Sequence, residues 1–344
     1  MITLAADIKI YIIDRPFYGQ DICLMGRPLR EYALYNFPDA LLISDANDVC
    51  EEGADFLALI YTDTPLCDMR FLAEKRSEIT SSPFSMLKIG AGYLKNLRSA
   101  GEKEVICNDP KAIRVQCASD ISAIYDYLKK QTLYRLSHNN VFIIHPESTH
   151  IDTTVSIGEG SIIHPMVCLK GGTRIGSNVE IFPFTELMDT QIGDNSKLYS
   201  AFAQSAVVGS ACTIGPFTCL RPGAVIGDNC RVGPYVEIKK STLRDNVKAA
   251  HLAYIGDSFV DSGTNIGCGV VFANYDGKNK HKTTVGKNVF IGANCNLVAP
   301  LTIGDNAFIA AGSTLTKDLP AKSFCIARSR EVIKPDYPVK SRNT

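Results

Sequence analysis

The sequence has no tryptophan, no net charge and no long apolar run. Its Lys+Arg 36 are balanced by Asp+Glu 36, so no general field draws in a polyanion, and recognition of a phosphate would rest on a few placed side chains. Nucleic acid is therefore not an expected partner. No stretch approaches the roughly 20 apolar residues of a membrane span. The opening MITLAADIKIYIIDRPFYG has no basic start followed by a sustained apolar core, so no secretory signal and no membrane association are expected, and the location expected is cytoplasmic. The 12 cysteines stand singly from Cys23 to Cys325, without CxxC pairs or metal-spaced Cys/His clusters. They are expected to be reduced and to serve as compact apolar side chains in a tight interior. With 344 residues, 45% of them hydrophobic and 21% charged, the chain has the length and composition of two soluble globular domains.

What the sequence does have is a period of six. Ile157, Ile163, Leu169, Ile175, Ile181 and Leu187 recur at that spacing. It resumes at Val208, Ile214, Leu220, Ile226, Val232 and Ile238, and again at Val285, Ile291, Leu297, Ile303, Ile309 and Leu315. The period is neither helical nor strand alternation, and its persistence through three blocks excludes chance in an aliphatic-rich chain. Three hexads make one triangular coil, each aliphatic residue pointing into the prism and coils stacking by parallel pairing. The turns that follow, Ile-Gly-Asp-Asn at Ile192, Ile226 and Ile303, supply Gly and Asn for positive φ. The fold expected from Val141 to Arg328 is a left-handed parallel β-helix, one of the rare departures from right-handed crossovers.

Residues 1–140 read as a small α/β domain. Strands are expected at Ile8–Ile13 and Phe56–Tyr61 and helices at Pro28–Tyr35 and Ala118–Leu133. Asn47–Asp55 and Leu87–Gly101 read as connections, Ser137–Asn140 as the boundary, and 329–344 as a tail.

The period falters around Leu243–Ile255 and breaks at Ala273–Thr284 (ANYDGKNKHKTT), too polar for a prism face and so an external loop, where binding residues concentrate. Around it lie Arg221, Lys239, Lys240, His251, Tyr254, Asn265, Asn274, Tyr275 and Lys280. Arg221 and Lys239 are eighteen apart, which stacks two cations at one corner. Such a pair repels unless an anion lies between them, and a phosphate suits the Arg fork and the Lys point charge; equally, both side chains could reach into solvent and pair with Glu237. A lone His is ordinarily a hydrogen-bonded surface or core residue. Among these neighbours, His251 is also a side chain able to accept a proton near neutral pH.

The segments IGPFTCLRPGAVIGDN, VGPYVEIKKSTLRDNVKAAHLAYIGD, VDSGTNIGCGVVFANYDGKNKHKT and IGANCNLVAPLTIGDNAFIAAGSTLTKDL resemble the acetyltransferase half of the bifunctional N-acetylglucosamine-1-phosphate uridyltransferase/glucosamine-1-phosphate N-acetyltransferase family. The likeness runs from Phe142 to Arg328, and RPG, EIKK, AHLxYIGD, NIGxG, NYDGxxK and LVAP are far more specific than hexapeptide repeats. It implies His251 as the general base that deprotonates a sugar amine attacking the acetyl thioester. It further implies Arg221, Lys239 and Lys280 on a sugar phosphate, with Tyr254, Asn265, Asn274 and Tyr275 orienting the ring and the His. Cys268, Asn274, Ala293, Ala311 and Arg328 are implied on the acetyl-CoA side. The family's architecture implies a homotrimer with sites between subunits. Two positions depart from the family pattern: Cys268 stands where a smaller residue, usually Ala, is found, and Ala293 where Ser is usual. Loss of that hydroxyl is expected to cost about 0.5–1.5 kcal/mol of cofactor binding.

The N-terminal half departs further. Where the family has a Gly-rich nucleotide loop, this chain has Thr3-Leu4-Ala5-Ala6-Asp7 and no phosphate-cradling glycines. Met25–Tyr32 resembles the segment after that loop, and Ala58–Leu66 the strand that ends in Asp-x-Pro, whose Asp, here Asp63, binds Mg²⁺ in relatives. No second ligand stands near Cys117–Ala118, so a Mg²⁺-nucleotide site is not expected. The expectation is a reduced, inactive nucleotidyltransferase-like domain before an intact acetyltransferase domain. A sugar-1-phosphate nucleotidyltransferase and a non-catalytic sugar-phosphate-binding paralogue are the alternatives.

Overall fold

The computed structural model describes residues 114–335 without interruption and, before them, 8–13, 21, 23–37, 40–43, 56–61, 64, 66–67, 71–72, 74–75, 86–89, 92–96, 104–107 and 110–112. Thr3–Asp7, Asn47–Asp55 and Asp63 lie outside the described residues. The chain divides into two compact units. One comprises Met1–Asn139, His150–Val155 and Leu169–Gly172, the other Asn140–Thr149, Ser156–Cys168 and Thr173–Thr344.

In the first unit, Ile8–Ile13 pairs in parallel with Leu41–Ile43 on one side and Phe56–Tyr61 on the other. Gly92–Asn96 continues the sheet antiparallel to Phe56–Tyr61, followed by Met86–Ile89 and Glu104–Ile106. Leu87–Gly101, expected as a connection, thus contributes to two paired strands, Met86–Ile89 and Gly92–Asn96, which run antiparallel; residues 97–101 lie outside the described residues. The core gathers Ile12, Ala58, Ile60, Phe71, Leu72 and Ile89. Helices form at Leu29–Asn36 and Ala118–His138. The second outruns its expected end because Leu136 extends the buried stripe of Ile124, Leu128 and Thr132 at helical spacing. Buried Tyr32 donates its hydroxyl to the Leu24 carbonyl at 2.7 Å, and burial pushes its phenol up to about 12.

The second unit carries the left-handed parallel β-helix. Within this unit face 1 stacks eight strands from Glu186–Met188 to Thr314–Leu315. Face 2 stacks nine from Ser156–Ile157 to Leu301–Ile303, and face 3 eleven from Phe142–Ile143 to Phe324–Cys325. Every aliphatic residue of the three hexad blocks is buried, Ile157 most exposed at 7%. Coil length varies while the strands stay in register. Ser156 pairs with Arg174, eighteen on; Gln191 with Val207, sixteen on; Lys248 with Asn265, seventeen on; and Ser258 with Thr283, twenty-five on. The faltering period at Leu243–Ile255 is therefore one residue trimmed from a corner.

The Ile-Gly-Asp-Asn turns divide their labour differently from the sequence expectation. The left-handed conformation belongs to the asparagines, Asn195, Asn229 and Asn306, with φ of 59°, 57° and 58°, as suits a residue whose short polar side chain tolerates it. The glycines are needed for contact. A Cβ on Gly193 would lie 2.5 Å from the Gly209 carbonyl carbon in the next coil, so a side chain there would hold two coils apart.

The cysteines also divide. The eleven described are all free. Cys67, Cys212, Cys230 and Cys295 are buried as expected, but Cys23, Cys117 and Cys268 are exposed. Cys117 opens the long helix, its N–H bonded to Asp120 at 3.0 Å; Cys268 sits on an outward corner. Among the described residues no helix is long and apolar enough to cross a membrane, and no cluster of three His, Cys, Asp or Glu could hold a metal ion.

Candidate active site

The structure sorts the sequence-predicted residues onto two corners of the same coils, one at each edge of face 1. At the corner between faces 1 and 2, parallel pairing sets Leu220 opposite Ile238, so Arg221 and Lys239 stack one above the other. Arg221 Nη1 meets Glu237 Oε1 at 2.8 Å, the surface ion pair that spacing had left open. The nearby Lys280 above all, with desolvation and the field of Arg221, pulls the Lys239 ammonium below the usual range, and Asp257 only partly opposes them. Three cations thus meet at one corner with Glu237 and Asp257 as the nearby carboxylates, an arrangement that gains from a bound anion.

Strand Ala253–Gly256 carries Tyr254 on the outer side of face 1 beside Glu237. The strand before the insertion ends at Ala273 and the next begins at Thr283, so the loop proper is Asn274–Lys282. It is a folded miniature hairpin. Tyr275 and Lys280 bridge antiparallel, and the Asp276 carboxylate accepts from the Lys278 and Asn279 N–H groups at 2.7 and 2.6 Å and from His281 at 2.7 Å. These bonds, led by the Asn279 amide, hold the Asp276 carboxyl down at about 2. Loop geometry is thereby fixed with Lys280 lining a cleft of about 390 Å³ together with Lys240, Asp257, His281 and Lys282.

The corner between faces 3 and 1 carries the rest. His251 is exposed, and among the described residues its imidazole has no hydrogen-bond partner. Above it the backbone stacks Cys268, Ala293, Ala311 and Arg328 in one ladder: Asn294 N–H donates to the Cys268 carbonyl at 2.7 Å, Gly312 N–H to the Ala293 carbonyl at 2.8 Å, and a Cβ on Gly312 would lie 3.6 Å from Arg328 Cδ. Four of the five residues assigned to the acetyl-CoA side therefore share one edge with His251 at its foot, while Asn274 lies at the other corner, bonded to Asp257. Asn265 lies nearby on face 3, between Lys248 and Phe290.

Two contributors escaped the sequence reading. Asn274, 6% exposed, donates its amide to Asp257 Oδ2 at 2.5 Å. Gly256 leaves the space over which Tyr254 Oη and Asn274 Nδ2 converge, each less than 3 Å from where a Cβ would stand. Asp257 is seventeen residues before Asn274, one coil length, and that spacing was the available signal.

Residues 205–240 and 282–317 match the bacterial transferase hexapeptide family of six repeats. Fold and repeats together define the class as the hexapeptide left-handed β-helices. The chain is 42% identical over 217 residues to a bifunctional protein GlmU of Thermotoga petrophila, covering 63% of this chain and 49% of that one. To the bifunctional protein GlmU of Brevibacillus brevis it is 40% identical over 247 residues, 71% of this chain and 54% of that one. It is thus a homologue of the GlmU proteins that spans about half the length of these curated relatives. Among solved structures, LpxA from Acinetobacter baumannii aligns with 52% of this chain and 70% of its own at 17% identity, with a TM-score of 0.36.

Proposed function

We propose that this protein is a cytoplasmic N-acetyltransferase that moves an acetyl group from acetyl-CoA to the amine of glucosamine 1-phosphate or a closely related amino-sugar phosphate, in the synthesis of UDP-N-acetylglucosamine. The observation that carries the reading is the two-corner arrangement: a cationic corner at Arg221, Lys239 and Lys280, and a His251 corner continuous with Cys268, Ala293, Ala311 and Arg328.

The arrangement also supports a trimer. In glucosamine 1-phosphate the amine and the phosphate are on adjacent carbons, a few ångströms apart. In one chain the two corners are separated by the strand Ala253–Gly256, four residues or about 10 Å. One chain's His251 cannot serve an amine whose phosphate rests on the same chain's cations. A neighbouring copy that brings its His251 corner against this cationic corner completes the site, as closed cyclic assembly allows.

In the reaction, the neutral amine attacks the thioester carbonyl carbon, a C–N bond forms and the C–S bond breaks. The proton shed by the amine passes to His251 and leaves with the CoA thiolate, giving the amide and free CoA. Holding amine and thioester at attack distance supplies most of the acceleration and the positioned base the remainder. The reduced N-terminal unit has no assigned catalytic part in this scheme.

Purified protein mixed with acetyl-CoA and glucosamine 1-phosphate should release CoA, read with a thiol reagent, and His251→Ala should lower the rate by about 100- to 10,000-fold. No CoA release above background would overturn the reading. Thermal stabilisation by the sugar phosphate without CoA release would favour a non-catalytic binding protein.

A further inference from the structure

Asp257 occupies an unusual place. It follows Gly256 at the end of the Tyr254 strand, takes the left-handed conformation with φ 48°, and donates its N–H to the Lys239 carbonyl at 3.1 Å. Its side chain accepts from the buried Asn274 amide, whose Nδ2 donates to Oδ2 at 2.5 Å.

The chemistry of that hydrogen bond is directional. An ionised carboxylate only accepts, so it engages the NH₂ end of an asparagine and never the carbonyl end. Asn274 is thereby fixed with Nδ2 toward Asp257 and its other end, the oxygen, left as an acceptor for whatever enters the site. A buried amide without such a partner could turn over and present a donor instead. Gly256 enforces the arrangement from below, because any side chain there would strike both Asn274 Nδ2, at 2.7 Å, and Tyr254 Oη, at 2.6 Å.

We infer that Asp257 is a positioning residue of the proposed acetyltransferase site, holding the Asn274 amide oxygen toward the substrate. The inference rests on the acetyltransferase reading, so its test has one readout that does not need turnover. In full-length protein labelled with ¹⁵N-asparagine, the Asn274 side-chain NH₂ should exchange slowly with solvent in the wild type and rapidly in Asp257→Asn, its signals assigned by their loss in Asn274→Asp. Equal exchange in wild type and Asp257→Asn overturns the inference whether or not the protein acetylates anything.

With turnover established, Asp257→Asn should lower kcat/KM for the amino-sugar phosphate by about 10- to 100-fold, the range for a charge-assisted hydrogen bond, and leave KM for acetyl-CoA unchanged. The exchanged pair, Asp257→Asn with Asn274→Asp, restores a donor–acceptor contact with the same atoms but turns a carboxylate oxygen toward the substrate. It should regain the wild-type melting temperature without regaining activity. If the exchanged pair recovers the wild-type rate, Asp257 is only a structural partner of Asn274 and the inference fails.

Discussion

Gly233→Ala is a test of how tightly the proposed chemistry depends on coil stacking. Gly233 is on the coil directly beneath His251, and a Cβ added there would strike the Ala250 carbonyl oxygen and come within 2.5 Å of its carbon and 3.0 Å of Ala250 Cα. All of these are backbone atoms, so no side-chain rotation relieves the contact. Restoring ordinary carbon–carbon separation of about 3.5 Å requires Ala250 to move by about 1 Å, and His251 is the next residue. Overpacking of this kind costs about 1–3 kcal/mol. A 1 Å displacement of a catalytic group can cost about 100-fold in rate. Since each coil contacts chiefly its neighbours, the damage should stay local. The expected variant is folded, with a lowered melting temperature by circular dichroism and a CoA-release rate reduced by about 100-fold at saturating substrates. A Gly233→Ala protein with wild-type rate and wild-type melting would refute the stacking argument, and one with lowered melting but wild-type rate would count against His251 as the base.

Two further outcomes are expected. Because burial raises the Tyr32 phenol from 10.0 to about 12, folding favours the neutral form: the stabilisation is complete below pH 10 and is lost as pH rises through 12, about 2.7 kcal/mol in all. Tyr32→Phe should cost about 1 kcal/mol at pH 7 through the lost hydroxyl bond yet show flatter stability than wild type from pH 10 to 12 in urea titrations. At the cationic corner, inorganic phosphate should raise the melting temperature, reaching about 2.7 kcal/mol of stabilisation at a hundredfold excess over Kd. The triple substitution Arg221→Met, Lys239→Met, Lys280→Met should abolish that rise; an undiminished rise would place the anion elsewhere.

The β-helix was legible because its signal is long: eighteen aliphatic positions at a period of six, all of them buried. The candidate site was partly legible. Spacing of eighteen identified Arg221 and Lys239 as stacked, but whether the arginine met Glu237 or solvent is a matter of rotamer, which spacing does not encode. The Ile-Gly glycines show a second kind of limit. Composition said that Gly and Asn share the turn; only the neighbouring coil reveals that Asn bears the positive φ and Gly the close approach. Asp257 was hidden for a third reason. Its partner is one coil away by a hydrogen bond rather than a repeat, and a lone Asp in a turn has an ordinary reading at every such turn in the chain. In the N-terminal half, short apolar segments marked the strands at Ile8 and Phe56, while Gly90, Gly92 and Gly101 made Leu87–Gly101 read as a connection.

The variation in coil length carries a consequence of its own. Sixteen, seventeen, eighteen and twenty-five residues all close the same triangle, because every addition or loss falls between strands and leaves the paired strands in register. The corners therefore work as ports and the faces as a chassis. A segment can be grafted, lengthened or excised between Asn274 and Lys282 while the strands on either side keep their partners. Chemistry carried at such a port can change faster than the stack beneath it.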